Sequence, residues 1–197
     1  MHNRTHIPGL PDSSFIRGDV PMTKEEIRAL TLCKAKIGPQ DIVYDIGAGT
    51  GSISVEAALL AYSGRVYAIE RDSSGIALIT ANTTKFGLTN VELVQGEAPA
   101  VLKGLPVPEV VIIGGSGGKL AQILDICCMR LRVGGKIIIN AVTLETLCSA
   151  QQYFAACEGF LLDVTCVSIT KAVPIGTIHL FRAHNPVYII VAAKEAC

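Results

Sequence analysis

A glycine-rich loop between a buried strand and a helix is the feature that most constrains this fold. The apolar run 42–46 is typical of a buried strand, residues 52–62 are typical of a helix, and glycines occupy positions 47, 49 and 51 between them. Glycine lets a backbone turn tightly and approach a ligand without a Cβ clash. In open α/β sheets, ligands bind beyond the carboxyl ends of the strands. The loop therefore predicts an α/β fold with a ligand site at this strand end.

The alternation of strands and helices continues along the chain. Further strands are predicted at 65–70, 91–94, 109–113 and 136–140, and further helices at 73–86, 120–131 and 143–156. This order predicts a mostly parallel sheet with right-handed crossovers. Two strands without a helix between them, 160–170 and 187–193, then predict an antiparallel hairpin at the sheet edge, joined by a loop over 171–186. We expect a seven-stranded sheet in a single domain over 1–197.

The N-terminal segment is polar and interrupted by proline and glycine. It predicts an extended arm over 1–22 rather than a folded unit, in which His2 and His6 are expected to be disordered. A helix is predicted to follow, with Thr23 as its cap and Glu26 at the spacing of a capping box.

Composition disfavours several classes of protein. Half of the residues are hydrophobic and 17% are charged, which favours a sheet covered on both faces. Acidic and basic residues balance at 17 each, so the chain is not a general nucleic-acid binder, although a local basic patch stays compatible. No apolar run is long enough to span a bilayer or to act as a secretory signal, which predicts a cytoplasmic protein. The seven cysteines form no C-x-x-C pair and no zinc-ligand spacing, so we expect reduced core thiols and no metal.

The spacing of the glycine loop discriminates between nucleotide-like ligands. A dinucleotide fingerprint reads G-x-G-x-x-G/A, but counting from Gly47 its last place is Ser52, and the third glycine comes one residue early. Asp45 precedes the loop by two residues. Its carboxylate would repel a pyrophosphate but suits a ligand that carries an ammonium and a sulfonium group. A tight strand–helix turn without a ligand is the alternative.

The next two strand ends carry groups compatible with the same ligand. Glu70 ends the second strand, where a carboxylate can accept both hydroxyls of a ribose; a solvated strand-end acid is the alternative. Gly-Glu-Ala-Pro at 96–99 ends the third strand, where the backbone around Ala98 can read an adenine edge. Together the three strand ends predict a class I, Rossmann-like methyltransferase that uses S-adenosylmethionine.

Several motifs also resemble one known family. These are Val-Pro-Met-Thr-Lys-Glu-Glu at 20–26, Asp-Ile-Gly-Ala-Gly-Thr-Gly-Ser at 45–52, Gly-Glu-Ala-Pro at 96–99, Gly-Gly-Ser-Gly-Gly at 114–118 and Asn-Pro-Val at 185–187. They resemble the decarboxylating carbon-15 methyltransferases of cobalamin biosynthesis, also called cobalt-precorrin-6B or precorrin-6Y methylases. The Asp-x-Gly-x-Gly-x-Gly loop occurs in many methyltransferases, whereas its combination with Pro-Met-Thr-Lys and Gly-Gly-Ser-Gly-Gly is much more specific.

The resemblance implies an activity and a set of contacts. It implies methylation of a cobalt-precorrin at carbon 15, with decarboxylation of an acetate side chain, by a stand-alone enzyme that forms a homotetramer. With the strand-end neighbours Arg71 and Glu97, the expected cofactor contacts are Thr23, Gly47, Ala48, Gly49, Thr50, Gly51, Glu70, Arg71, Glu97 and Ala98.

The loop at 114–118 predicts where the substrate binds. Methylases of nucleic-acid amino groups often carry Asn/Asp-Pro-Pro-aromatic at this strand end, whereas this loop has almost no side chains. We hypothesise that it leaves space for a flat macrocycle and offers backbone N–H groups to its carboxylates; a flexible crossover turn is the alternative. The expected substrate contacts are Lys24, Gly114, Gly115, Ser116, Gly117 and Arg182. Arg17, Lys119, Lys171 and His179 are further candidate cations, with ordinary solvated charges as the alternative for each.

The expected chemistry needs little from the protein. Methyl transfer from a sulfonium to an electron-rich carbon is an in-line displacement, so the protein mainly aligns the reactants and excludes water. No catalytic side chain is predicted. Two other functions stay open at this point: a methyltransferase of the same fold that acts on RNA or on another small molecule, and a module that binds a nucleotide-like ligand without catalysis.

Overall fold

Strands and helices alternate along residues 6–195, the part of the chain that the computed structural model describes. The strands are β1 (Ile42–Ile46), β2 (Arg65–Glu70), β3 (Val91–Gln95), β4 (Val110–Ile113), β5 (Lys136–Ala141), β6 (Phe160–Val167), β7 (Thr170–Ile175), β8 (Ile178–Ala183) and β9 (Val187–Lys194). The helices are α1 (Glu25–Ala35), α2 (Ser52–Leu60), α3 (Ser73–Lys85), α4 (Leu120–Arg130) and α5 (Leu144–Ala155), with short 3-10 turns at Asp12–Ser14 and Ala100–Gly104. Every helix in this range is too short or too polar to span a bilayer.

Seven of these strands form one sheet in the order β3-β2-β1-β4-β5-β9-β6. Strands β1 to β5 are parallel, whereas β9 inserts between β5 and β6 and is antiparallel to both. The predicted seven-stranded, mostly parallel sheet with an antiparallel C-terminal hairpin is confirmed. The strand order reverses at the β1–β4 pair, because β2 and β3 lie on one side of it and β5 on the other. A crevice for a ligand is expected at such a switch point.

Strands β7 and β8 form a separate two-stranded antiparallel sheet. The predicted loop over 171–186 is therefore wrong, and the strand predicted to run to residue 170 ends at Val167. The chain turns back at Gly176, whose φ of 60° lies in the left-handed region that glycine adopts without strain. Pro174 lies on β7, and proline, which donates no ladder hydrogen bond, is tolerated there because a strand of a two-stranded sheet is an edge strand.

Two apolar layers cover the large sheet. On one face, Val43, Ile112 and Ile138 pack with apolar residues of α1 and α2. On the other face, Ile113 and Ile137 pack with apolar residues of α4 and α5. Burial on both faces explains why the strands read as near-continuous apolar runs in the sequence.

Helix α1 begins without the side-chain cap that the sequence predicts. Lys24 occupies the N-cap position, and no side chain makes a capping hydrogen bond there. The guanidinium of Arg28 instead donates a hydrogen bond to the carbonyl of Thr23. Thr23, which precedes the helix, is thus held by the side chain of Arg28 within the helix. No local capping pattern predicts this contact.

Buried charges hold the N-terminal arm against α1 and α2. Arg28 is fully buried and donates to the carboxylate of Glu56, which is also fully buried. Glu56 accepts the backbone N–H of Gly9 at 2.7 Å and is hydrogen-bonded to His6 at 3.0 Å. Burial opposes ionisation of Glu56, but the hydrogen bonds from His6 and Arg28 outweigh it and lower its pKa. The expectation that His6 is disordered is wrong, and His2 lies outside the described residues.

Candidate functional site

A cavity of about 480 Å³ opens where the strands β1 to β5 end. This volume is typical of small-molecule sites, and the position is the switch point of the sheet. Each of the five strands contributes residues from its carboxyl end, and the arm covers the cavity with residues 20–24. Within the described part of the chain, no group of three or more His, Cys, Asp or Glu side chains is arranged to hold a metal ion.

The glycine loop is shaped by close backbone contact. Gly47, Gly49 and Gly51 have φ of 71°, 56° and 74°, a region that residues with a Cβ rarely adopt. A Cβ added at Gly47 would lie 2.7 Å from the carbonyl oxygen of Gly115, in the loop after β4. The loops after β1 and β4 therefore meet backbone to backbone, and a side chain at position 47 would push them apart.

The carboxylate of Glu70 ties the end of β2 to the glycine loop. One oxygen accepts the backbone N–H of Gly49 at 2.8 Å. The other accepts the backbone N–H groups of Arg71 at 2.8 Å and Asp72 at 2.9 Å. Glycine at position 75 is required beside it, because a Cβ there would lie 2.8 Å from the Glu70 side chain. The loop, the strand end and the start of α3 are thereby fixed around one buried acid.

A second acid, Asp45, lies under the loop and is fully buried. The hydroxyl of Ser54 donates a hydrogen bond to its carboxylate. Burial raises the pKa of Asp45 to about 6, and the negative charge of Glu70 adds to the increase. Asp45 thus titrates close to neutral pH, and a cationic group placed beside it would favour its ionised form.

Ion pairs close one rim of the cavity. Glu97, after β3, lies 3.0 Å from the guanidinium of Arg71 and also pairs with Lys119. The hydrogen bond from Lys119 and then the one from Arg71 lower the pKa of the Glu97 carboxyl. Lys119 was a candidate cation for the substrate, but its ammonium is engaged by Glu97 on this rim.

Comparison with known proteins identifies the family to which this chain belongs. A model of the precorrin methyltransferase domain matches residues 14–194. The chain belongs to the precorrin methyltransferase family. A relative in Saccharolobus solfataricus, named a probable cobalt-precorrin-6B C(15)-methyltransferase (decarboxylating), is 42% identical over 192 residues, which are 95% of this chain and 96% of the relative.

Two further comparisons agree with this family. The cobalt-precorrin-6B C(15)-methyltransferase (decarboxylating) of Salmonella typhimurium is 37% identical over 94% of this chain and 96% of its own length. The crystal structure of a precorrin-6Y C5,15-methyltransferase from Geobacter metallireducens superposes with a TM-score of 0.90, at 40% identity, covering 97% of this chain and all of that one. The fold is therefore that of the class I methyltransferases, as the glycine loop predicts.

The cavity brings together most of the residues that the sequence analysis expected to contact the cofactor or the substrate. Those that line it are Thr23, Lys24, Gly47, Ala48, Gly49, Glu70, Arg71, Glu97, Ala98, Gly114, Gly115, Ser116 and Gly117.

Three of the assigned residues do not line the cavity. Thr50 is buried, and its carbonyl accepts a hydrogen bond from Asn82 at 2.9 Å. Gly51 begins α2 and packs against Ile79. Arg182 lies exposed on β8, in the separate hairpin. Thr50 and Gly51 thus belong to the glycine loop but lie on its side away from the cavity, whereas Arg182 is on another sheet.

Sequence reasoning missed the lining contributed by β5 and the start of β9. Asn140 and Val142 lie at the end of β5, and Val187 begins β9 beside them. A signal for Asn140 was present, since a polar residue ends an otherwise apolar strand, as Glu70 does. Val187 belongs to the Asn-Pro-Val motif at 185–187, but no local signal places it or Val142 in the cavity, because only the pairing of β5 with β9 brings them there.

The backbone contact between the two loops predicts unequal tolerance of two glycines. Replacing Gly47 by alanine is expected to lower the free energy of unfolding by about 2 kcal/mol or more, because positive φ alone costs about 1–2 kcal/mol and the Cβ meets Gly115. Gly115→Ala is the matched control, since the nearest atom to its added Cβ is 3.9 Å away, and it should stay within about 0.5 kcal/mol of the parent. Urea denaturation measures both, and equal losses would contradict the contact.

Proposed function

We propose that this chain transfers a methyl group from S-adenosylmethionine to carbon 15 of a cobalt-precorrin and releases an acetate carboxyl of that substrate as carbon dioxide, in cobalamin biosynthesis. The observation that carries the proposal is the match to relatives named for this reaction, at 42% and 37% identity over nearly the full length of each. The cavity supports it, because the residues of the shared motifs line one continuous site.

The residues around the glycine loop fit the cofactor. A carboxylate has about four lone-pair sites, and Glu70 uses three of them on backbone N–H groups, so it can still accept from a ribose hydroxyl. Asp45 offers a buried negative charge beside the loop. When bound, S-adenosylmethionine supplies an electrophilic methyl group on a sulfonium. The chain holds the donor through the loop, Glu70 and the backbone near Ala98.

The opposite wall of the cavity fits a flat, acidic substrate. Gly114 and Gly115 bring no side chain into the space, and Ser116 and Gly117 continue the same wall. Lys24 contributes a partly exposed ammonium, which lies 3.7 Å from Asp12 at the edge of the arm. The arm covers the site and excludes water from the reacting groups.

The proposed activity is tested by incubating the protein with a cobalt-precorrin-6B and S-adenosylmethionine and measuring the mass of the product by mass spectrometry. We expect one product that has gained a methyl group and lost carbon dioxide. Gly115→Val, whose Cβ would have the Gly47 Cα at 3.9 Å as its nearest neighbour and whose methyl groups would occupy the proposed macrocycle site, should slow product formation about tenfold or more and leave the Kd of S-adenosylhomocysteine within about twofold. Methylation of an RNA or of another small molecule, with no tetrapyrrole product, would contradict the proposal.

The raised pKa of Asp45 predicts how cofactor binding depends on pH. Because the ammonium group of the ligand favours the ionised acid, affinity for S-adenosylhomocysteine should be constant above pH 6 and fall by up to about tenfold per pH unit below it. Without ligand, the stability of the fold depends on pH in the opposite direction. Because folding raises the pKa of Asp45 from 3.8 to about 6, the contribution of Asp45 to the free energy of unfolding is present at low pH and is lost as the pH rises through that window. Calorimetry between pH 4.5 and 8 measures the binding, and Asp45→Asn should bind weakly without this pH dependence. An unchanged pH profile in Asp45→Asn would assign the titration to another group.

We also propose that the protein is a homotetramer whose subunits meet through the β7–β8 hairpin. This hairpin exposes large apolar side chains on both of its faces: Ile175, Ile178 and Leu180, about half exposed, on one, and Phe181, 83% exposed, on the other. Exposed apolar surface of this kind is typical of an interface. A second copy offers the same surface and would cover it.

The hairpin proposal is tested by sedimentation. Phe181→Glu is expected to convert a tetramer into smaller species, because a charge would be buried at the interface. Met129→Glu is the matched control, since Met129 is 75% exposed on α4, away from the hairpin, and the assembly should persist in that variant. A parent protein that sediments as a monomer would contradict the proposal.

We place the enzyme in the cytoplasm. All six cysteines within the described range are free, and burial raises the pKa of Cys127 and Cys128 to about 12. Thiols of this kind are inert, and free cysteines are typical of a reducing compartment.

A further inference from the structure

The side chain of Asn82 joins two segments that border the cavity. Its amide oxygen accepts the backbone N–H of Ile16 at 2.7 Å. Its amide nitrogen donates to the carbonyl of Ile16 at 3.0 Å and to the carbonyl of Thr50 at 2.9 Å. Ile16 belongs to the N-terminal arm, whereas Thr50 belongs to the glycine loop. One side chain of α3 therefore binds the backbone of both segments.

The orientation of this amide follows from its three partners. The N–H of Ile16 needs an acceptor, and the two carbonyls need donors. Exchange of the amide oxygen and nitrogen would place donor against donor and oxygen against oxygen, so only one orientation satisfies all three groups. Asn82 is fully buried and does not line the cavity. Any effect of Asn82 on a ligand must therefore pass through the arm or the loop.

Helix α3 gives Asn82 a fixed position behind the glycine loop. The carboxylate of Glu70 fixes the start of this helix through two backbone N–H groups. One turn before Asn82, Ile79 packs against Gly51, where an added Cβ would lie 3.0 Å from the Ile79 side chain. Residues three apart lie on the same face of a helix, so Asn82 faces the loop as Ile79 does.

The arm has few other restraints where it passes the glycine loop. Phe15 and Met22 are buried and anchor the two ends of this stretch, but residues 16–19 between them are exposed. Within the described chain, no hydrogen bond other than those from Asn82 reaches residues 16–21. Asn82 therefore holds the middle of the stretch.

The same stretch of the arm touches the glycine loop and then covers the cavity. A Cβ added at Gly49 would lie 3.2 Å from the carbonyl oxygen of Pro21 and 3.5 Å from the side chain of Val20. The arm continues into the lining of the cavity with residues 20–24. A cofactor bound at the loop would meet the arm in this position and would favour it over an open position.

We propose that Asn82 is a positioning residue that couples the arm to the glycine loop, so that the cofactor site is complete only when the arm is held over it. The inference rests on the proposed binding of S-adenosylmethionine at this loop. A ligand that binds only the closed arm has its apparent Kd raised as the closed fraction falls, so a loosened arm weakens cofactor binding without any direct contact. By reciprocity, the bound cofactor protects the arm.

Limited digestion with trypsin measures how often the arm opens. Arg17 is exposed in the stretch that Asn82 holds, and cleavage after it follows the population of the open arm when opening and closing are fast. Arg132, exposed in the turn before β5, is the internal reference. In the parent protein, we expect saturating S-adenosylhomocysteine to slow cleavage after Arg17 about tenfold relative to cleavage after Arg132.

Two variants loosen the contact from its two sides. Asn82→Leu removes all three hydrogen bonds with little change in volume. Ile16→Pro removes the N–H on the arm side and leaves α3 intact, and the extended Phe15, with ψ of 145°, accepts a following proline. Asn90→Leu is the matched control, because the Asn90 amide also donates to two backbone carbonyls, but these lie at the end of α2 and not in the arm or the loop.

We expect Asn82→Leu to raise the Kd of S-adenosylhomocysteine about tenfold, and Ile16→Pro, which loses one bond, to raise it about threefold. Asn82→Leu should also speed cleavage after Arg17 in the absence of ligand. The KM for S-adenosylmethionine should rise with the Kd, whereas kcat should fall less, because saturating cofactor closes the arm. Asn90→Leu should lower Tm and leave the Kd and the cleavage ratio unchanged.

A lower Tm in Asn82→Leu with the Kd and the Arg17 cleavage of the parent would overturn the inference, because Asn82 would then only stabilise the fold. Cleavage after Arg17 that S-adenosylhomocysteine does not slow in the parent would also overturn it, and this result needs no variant. Failure of the proposed function has a different signature: the parent then binds S-adenosylhomocysteine and protects Arg17 but forms no methylated tetrapyrrole. A parent that does not bind S-adenosylhomocysteine would contradict both.

Discussion

The backbone contact between Gly47 and Gly115 is the constraint on which the rest of the site depends. It brings the loops after β1 and β4 together at the point where the strand order reverses, and a Cβ at position 47 would prevent it. Glu70 then fixes the outer side of the same loop through three backbone N–H groups. With both sides of the loop fixed, the cavity has one acidic half under β2 and β3 and one half nearly without side chains under β4. Backbone donors on rigid elements hold a ligand at low cost because they need no reorganisation.

The arm completes the cavity, and its position depends on charges that are removed from water. Arg28 and Glu56 are both fully buried, and their remaining hydrogen bonds go to the N-terminal segment: to backbone groups of Gly9, Leu10 and Thr23 and to the side chains of His6 and Asp12. A buried pair contributes little net stability, but loss of one partner is expensive, so the pair acts mainly to specify where the arm lies. That specification brings Val20 and Met22 over the site and Lys24 to its edge. The arm and the glycine loop are far apart in the sequence, so no local pattern predicts this contact.

Sequence reasoning succeeded where the signal was local and failed where a distant partner decided the outcome. Asp45, Glu70 and the glycines are identified by spacing after apolar runs, and they meet because parallel strands end at one edge. Thr23 was predicted to cap α1, but Arg28 bonds its carbonyl instead. A loop was predicted where β7 and β8 form a separate two-stranded sheet. Arg182 was assigned to the substrate from its charge, but it lies on that hairpin and does not line the cavity.

The sequence by itself determined the order of the elements of the large sheet, its parallel strands and the strand end at which the glycine loop lines a cavity. These follow from periodicity and from glycine at positive φ, which are properties of neighbouring residues. Only the tertiary structure decided that β9 lies between β5 and β6, that arm residues line the cavity and that Asn140 lines it too. The physical reason is that pairing across a sheet and burial of charge join residues far apart in the chain. The glycine loop thus marked where the cavity opens, whereas the surroundings of Asn140 emerged only when α1 and β5 were packed together.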